Sequence, residues 1–252
     1  MIIRRNFNIY LGIFLSSISF LRGQINNTFD VILNSAEETL VVSQTIEYTN
    51  TSNEALSTLY FYDWANSYQG EPAPLAKHLA NQFNRSFYIR SNSKLGFTKI
   101  NILKGASISS WSRLENQLDI IVVNLHEKLS IGEQMKIQLE YLVKIPDDKF
   151  SGIGINSSNG FLIRDLFISI APRYNDEWLL NSNLGFRDYS NQPSNYQFNW
   201  KFPNNYTLLS NLNEVSSDTD LKSNHKTIVH KDENIISPEF VFDLNNSFKT
   251  IK

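Results

Sequence analysis

The sequence predicts an all-β fold, an antiparallel β-sandwich with one short inserted helix near 74–85, on three observations. Apolar residues recur at every second position over most of the chain, the period of a strand with one buried face. Clusters of Asn, Ser, Gly and Pro punctuate these runs at intervals of about 8–12 residues. The 252 residues, 41% hydrophobic and 13% aromatic, supply enough apolar mass for a large core without disulfides, since cysteine is absent. No fixed-period repeat is present.

The runs follow in order. Residues 28–34 alternate as a first strand and 36–38 form a polar turn; 40–49 is a longer strand, broken at the turn-rich stretch 50–53. Residues 56–64 are continuously apolar and aromatic, which predicts a strand buried on both faces. Pro74 can open a helix at its first turn, and Leu75, Leu79 and Phe83 recur near helical spacing, so 74–85 is the helix. Strands resume at 97–103, 108–114, 118–125 and 134–145, where Pro146 and the two following aspartates stop the last. A Gly/Ser/Asn loop at 151–160 precedes a strand at 161–171, and 196–202, 206–212, 227–230 and 240–244 complete the set.

Composition excludes several classes. A net charge of -2, with Lys and Arg placed singly, predicts no nucleic-acid partner. Absence of cysteine excludes thiol proteases, Cys-ligated zinc, disulfide scaffolds and a lipidated cysteine. At the N-terminus, Arg4 and Arg5 precede an apolar stretch at 9–21, shorter than the roughly 20 residues that cross a bilayer. Residues 1–23 are therefore expected to be a signal peptide and not a stable membrane span, with 24–252 a single β-sandwich domain. The expected location is exported: periplasmic, outer-surface or secreted.

The chemistry-bearing residues are sparse. H-E-x-x-H is absent, as are G-x-S-x-G, a P-loop and a dinucleotide fingerprint. Of four histidines, His78 and His126 are expected on the surface, and His225 and His230 are expected as solvated hairpin residues that on one strand would face opposite ways. Asp63, Asp165, Asp176 and Glu177 are candidates for a paired-carboxylate hydrolase. Asp63 stands out because it interrupts an aromatic run, where a charge needs a partner; a turn-capping carboxylate is the plainer alternative. Trp64, Trp111, Trp178 and Trp200 offer either a sugar-stacking platform or core packing. The six N-x-S/T triplets, at Asn26, Asn50, Asn84, Asn156, Asn205 and Asn245, are expected by chance in so Asn- and Ser-rich a chain.

Several stretches carry a resemblance in sequence order. They are Leu59-Tyr-Phe-Tyr-Asp-Trp-Ala-Asn-Ser-Tyr68, the segment at 74–88 with Gly96-Phe-Thr-Lys-Ile100, the opening pair at 28–50, and Leu129-Ser-Ile-Gly-Glu followed by a strand to Tyr141. Tyr196 to Leu209, with Pro203-Asn-Asn-Tyr206, and Ser237-Pro-Glu-Phe-Val-Phe242 complete the series. Together they resemble the amino-terminal domain of exported bacterial metallopeptidases of the aminopeptidase N (gluzincin) superfamily. The resemblance implies a saddle-shaped β-sandwich that walls the substrate cleft of a thermolysin-like zinc domain. That family's G-x-M-E-N and H-E-x-x-H motifs belong to the next domain and neither occurs here, so no zinc ligand or catalytic residue carries over. No cofactor is expected in this chain, zinc being expected only in the catalytic domain, and Lys252 stands near where such a domain would begin. The expected partner is that zinc domain, on a longer chain, and peptide substrate through it.

On this reading the chain is a non-catalytic, fragment-like N-terminal domain. The face toward the zinc domain is expected at Phe167, Ile170, Pro172, Arg173, Tyr174, Asp176 and Glu177, a stretch more apolar than a half-exposed strand needs, with a central sandwich strand as the alternative. The alternative function is a stand-alone secreted binding module for a glycan or protein, using aromatic residues such as Trp64 and Tyr68. An enzyme with an acid pair from Asp63, Asp165 and Asp176 is a third reading.

Overall fold

Strands dominate the computed structural model, which describes residues 25–185 and 191–244. The expected signal peptide at 1–23 and the triplet at Asn245 lie outside these residues. In chain order the elements are β1 (Asn26–Asn34), β2 (Thr39–Thr49), β3 (Leu56–Tyr62), α1 (Pro74–Asn81), α2 (Ser86–Ile89), β4 (Phe97–Gly105), β5 (Ile108–Leu114), β6 (Gln117–Leu129) and β7 (Gln134–Lys144). They continue with β8 (Gly154–Ile155), β9 (Phe161–Arg164), β10 (Ser169–Ile170), β11 (Arg173–Tyr174), β12 (Glu177–Trp178), β13 (Ser194–Pro203), β14 (Thr207–Ser210), β15 (Asn213–Asp220), β16 (His225–Ile235) and β17 (Glu239–Asp243). The fold is all-β, as the alternation predicted.

A seven-stranded sheet, ordered β15-β16-β13-β1-β2-β7-β4, faces two four-stranded sheets, β10-β3-β6-β5 and β14-β17-β9-β8. Every pairing between these strands is antiparallel except β1 with β13, which runs parallel and sets the first strand beside one far along the chain at the centre of the large sheet. On β1, β2, β7 and β13 alternate side chains are buried, so one face of the large sheet lines the core. Aromatic rings fill that layer. Phe29 stacks on Phe198 at 4.2 Å, and Trp200 meets Phe240 and Phe242 edge-on at 4.8 and 5.0 Å across the sandwich.

The prediction that 56–64 is buried on both faces holds in a specific way. Leu59 and Phe61 join the main core, while Tyr62 and Ile120 point outward and are covered by a second small cluster with Trp64, Ala171, Trp178 and Leu180. Three side-chain hydrogen bonds sew residues 179–181 over that outer face: Tyr62 Oη to the Leu179 carbonyl (2.6 Å), Trp64 Nε1 to Asn181 (3.0 Å) and Gln117 Nε2 to Leu180 (2.8 Å).

Two expected elements need correction. The helix expected to reach residue 85 ends at Asn81, because Phe83 adopts a left-handed φ of 61° and the chain closes with Phe83 N–H to the Ala80 carbonyl and Asn84 N–H to the Leu79 carbonyl. This is a Schellman stop with phenylalanine where glycine is preferred. The strand expected over 161–171 is two strands in different sheets, since Asp165 turns the chain at φ 55° between β9 of one four-stranded sheet and β10 of the other. The eight-residue β15 shows no alternation in sequence because it is an edge strand with every side chain exposed.

His230, expected to be solvated, is buried on β16 with its ring 6.0 Å from Phe240, and its Nδ1 has no hydrogen-bond partner. Burial holds the imidazole below its ordinary pKa, against an opposing pull from Glu214. The unfolded chain therefore takes up the proton first, so this residue's contribution is present above pH about 6.5 and is lost as pH falls toward the lowered value. His230→Phe should leave the unfolding midpoint at pH 7 nearly unchanged and shrink its fall between pH 7 and pH 5. Equal falls in parent and variant, followed by thermal melts, would refute this.

Candidate functional site

Asp63 ends β3 and makes no turn-capping hydrogen bond with its side chain. It is wholly buried: Thr98 Oγ1 donates to Oδ1 at 2.6 Å and the Arg113 guanidinium donates to Oδ2. Arg113 also reaches the Leu118 carbonyl (3.1 Å) and the Thr98 carbonyl (3.4 Å). One residue along β6, Asp119 is equally buried and accepts from Ser67 Oγ (2.7 Å), Ser182 Oγ (2.9 Å) and the Asn183 N–H (2.7 Å). The Asp63 N–H donates to the Asp119 carbonyl at 2.8 Å, and Asn66 bridges the Leu118 carbonyl and the Thr98 N–H. This network ties β3, β5 and β6 to edge strand β4 and to residues 182–183. Burial pushes the Asp63 carboxyl up, while Arg113 and Thr98 pull it back.

Asp165 is likewise turned inward. Ser237 Oγ donates to it at 2.9 Å, Arg164 Nε lies 3.5 Å away, and burial raises its carboxyl above the ordinary range. The cavity it lines with Phe29, Trp64, Phe167, Asn191 and Tyr196 holds about 30 Å³, room for a water molecule and not for an organic ligand. The carboxylates offered as acid pairs are thus dispersed and internally bonded: Asp63 is buried in one network, Asp165 is half-buried in another, and Asp176 sits on the surface.

The stretch expected to form a docking face divides. Phe167 and Ile170 are buried in the main core and Pro172 is buried beside them, so these three take no part in a solvent-facing surface. A polar lock draws them inward. Gln44 Nε2 donates to the Ile168 carbonyl (2.8 Å), Tyr141 Oη donates to Gln44 Oε1 (2.7 Å), and the Ile168 N–H donates to Tyr141 Oη (3.3 Å).

Arg173, Tyr174, Asp176 and Glu177 belong to a small hairpin, β11–β12, turned by Asn175 and Asp176 with φ of 49° and 64°. Two successive positive φ values are the twist-matched hairpin turn that Asn and Asp tolerate. Asn53 clamps the turn through its N–H to Asp176 Oδ1 (3.3 Å) and its amide to Oδ2 (3.2 Å). The Arg173 side chain is 9% exposed, pairs with Glu54 at 2.9 Å, donates to the Asp176 carbonyl, and lies 5.0 Å over the Trp178 ring. Its Nε has no partner. Tyr174, at 67% exposure, and Glu177 project to solvent.

Between this hairpin and the 51–53 loop runs a polar groove of about 310 Å³, lined by Tyr48, Thr51, Ser52, Asn53, Arg173, Asn175, Asp176 and Gln192. Burial pushes the Tyr48 phenol up, with Arg173 opposing. Tyr48, Gln192, Arg113 and Asp119 were not found from sequence. For Asp119 a signal existed, because it interrupts the apolar run 118–123 as Asp63 interrupts 59–64.

The four tryptophans do not form a platform: Trp64 and Trp200 are buried, Trp178 is half-covered by Arg173, and Trp111 is exposed alone on β5. His78 lies against Gln82 on α1 and His126 is exposed on β6. Among the described residues no three His, Cys, Asp or Glu side chains form a group that could hold a metal ion.

Arg113→Met should destabilise the fold by about 3–5 kcal/mol in urea titration, because it strands a buried carboxylate, and adding Asp63→Asn should recover part of the loss. A single-variant cost below about 1 kcal/mol would show that the pair does not hold these strands.

No family model matches the sequence, and no curated protein matches it. Solved structures that share similarity include the M1 zinc metallopeptidase from Deinococcus radiodurans, at TM-score 0.49 and 12% identity, covering 87% of this chain and 41% of that one. A two-domain M1 zinc metallopeptidase mutant bound to L-arginine gives TM-score 0.49 at 13% identity over 87% of this chain and 41% of its own. The chain thus spans about two fifths of the length of these structures.

Proposed function

We propose that the chain is a non-catalytic β domain that supports and shapes the substrate cleft of a zinc-dependent, aminopeptidase-like catalytic domain on a longer polypeptide. The observation that carries the reading is the ordered resemblance. Its stretches coincide with β1 and β2, then β3 through the helical excursion to β4, then β7, then β13 with β14, and finally β17. Internal bonding of Asp63 and Asp119 also fits a supporting role, since fully buried carboxylates that accept from neighbouring elements brace strands. On this reading the clamped hairpin with Arg173 and Asp176 is the part that faces the cleft, and the protein is exported to the periplasm, the outer surface or the medium.

The test compares the purified 252-residue chain with native protein captured from its host by an antibody against this domain. The captured material should hydrolyse aminoacyl-coumarin substrates in a chelator-sensitive, zinc-restored manner, and the purified chain should not. Hydrolysis by the purified chain, or capture without any peptidase polypeptide, would overturn the proposal.

A second reading, a secreted module that binds a glycan or protein by itself, is favoured by the groove. Its hydroxyls, amides, one guanidinium and one carboxylate match the paired donor and acceptor needs of a polyhydroxyl ligand. Trp178 beneath Arg173 is a built-in reporter. Saturable change in tryptophan emission with an oligosaccharide, abolished by Trp178→Phe, is the outcome expected of such a module, and a flat response across a glycan panel counts against it.

A further inference from the structure

Charge along this chain is divided unevenly. Residues 72–114 hold seven of the 23 basic residues and none of the 25 acidic ones, although the whole chain is net negative. Arg90, Lys94 and Arg113 are occupied by Asp147, Glu38 and Asp63. Lys77, Arg85, Lys99 and Lys104 make no ion pair among the described residues. Three of its large apolar side chains stand in solvent within residues 77–89: Phe83 at 94% exposure, Ile89 at 80% and Tyr88 at 50%.

These side chains are not on a loose loop. Leu75, Ala76 and Leu79 of α1 are buried, and Phe87 of α2 stacks on Phe150 at 4.3 Å. Phe83 occupies the left-handed position of the Schellman stop, where a β-carbon costs about 1–2 kcal/mol and glycine would be the economical residue. A bulky aromatic held there, and held in water, is disfavoured by the fold on both counts; an observed strain of this kind points toward a use.

We propose that the 77–89 excursion is a membrane-surface contact, in which Phe83, Tyr88 and Ile89 enter the headgroup boundary of an anionic bilayer and Lys77 and Arg85 meet its phosphates. Charge decides the occupant, because a one-signed basic tip carrying apolar side chains complements a negative lipid surface. Size decides against a protein: a stable interface covers about 800 Å² on each partner, far more than three exposed side chains provide. This contact is peripheral, and no helix among the described residues is long and apolar enough to span a membrane.

Absence of cysteine permits a position-specific test in the full chain. Ile89→Cys and, on the exposed edge strand β15, Ser217→Cys are each labelled with an environment-sensitive nitrobenzoxadiazole dye. Vesicles of phosphatidylcholine alone and of phosphatidylcholine with one quarter phosphatidylglycerol are then added. The label at 89 should brighten about threefold or more with the anionic vesicles and little with the neutral ones, while the label at 217 stays constant. In the 89-labelled chain, Phe83→Gly, which suits the left-handed backbone, and the pair Lys77→Glu with Arg85→Glu should each raise the lipid concentration for half-response about tenfold. The proposal is overturned by silence at 89, by equal brightening at both positions, or by a response indifferent to residues 77, 83 and 85. A response at 89 to a protein domain in place of vesicles would also overturn it, since the tip would then be a protein interface.

Discussion

The outward architecture of the 171–185 side depends on a polar lock inside the core, where Gln44, Tyr141 and the backbone of Ile168 satisfy one another's hydrogen bonds. Buried amide and phenol groups are tolerated only when fully paired, and once paired they admit a single arrangement. Here that arrangement pulls the chain from Asp165 to Ile170 between the sheets and inserts Phe167 among Phe29, Phe198, Trp200 and Phe240. Because Phe167 is fixed, Ile170 can pair with Phe61 on β3. The chain then leaves the core at Pro172 with the direction needed to lay Trp178 and Leu180 over the outer face of that sheet. The hairpin and groove inherit their position from this insertion.

A second constraint concerns charge. Asp63 and Asp119 lie in the interior beside one guanidinium, and between them they accept hydrogen bonds from the 3₁₀ turn after β3, edge strand β4 and residues 182–183. Such an arrangement adds little net stability relative to an apolar core, but it penalises any register in which one partner is missing. It therefore specifies how the small sheet docks on the edge of the large one. Both carboxylates are fully buried and turned toward these internal donors, so neither faces solvent.

What remains available for contact is at the surface and is of two kinds. On one side a rigid, polar hairpin holds Arg173 between Trp178, Glu54 and Asp176 and borders the groove. On the other, the helical excursion between β3 and β4 exposes apolar side chains among unpaired cations. Both are anchored by side chains packed inward, Leu75, Ala76, Leu79 and Phe87 under the excursion and the partly buried Trp178 under the hairpin.

The all-β class, the long strands and the start of the helix were legible in the sequence, because alternation on β1, β2, β7 and β13 and the proline at the head of α1 are local signals. That Asp63 needs a partner was legible too, but its partner was not, since Arg113 is fifty residues away and no local rule links them. The break at Asp165 and the burial of His230 were hidden for the same reason, since each depends on which neighbour lies across the fold, whereas the end of α1 was hidden because phenylalanine stands where a Schellman stop usually has glycine. The division of the 167–177 stretch into buried and exposed halves was decided by tertiary structure alone. Periodicity records how many faces a strand buries, whereas the polar groups of Gln44 and Tyr141, distant in sequence, determine which segment fills the space against them.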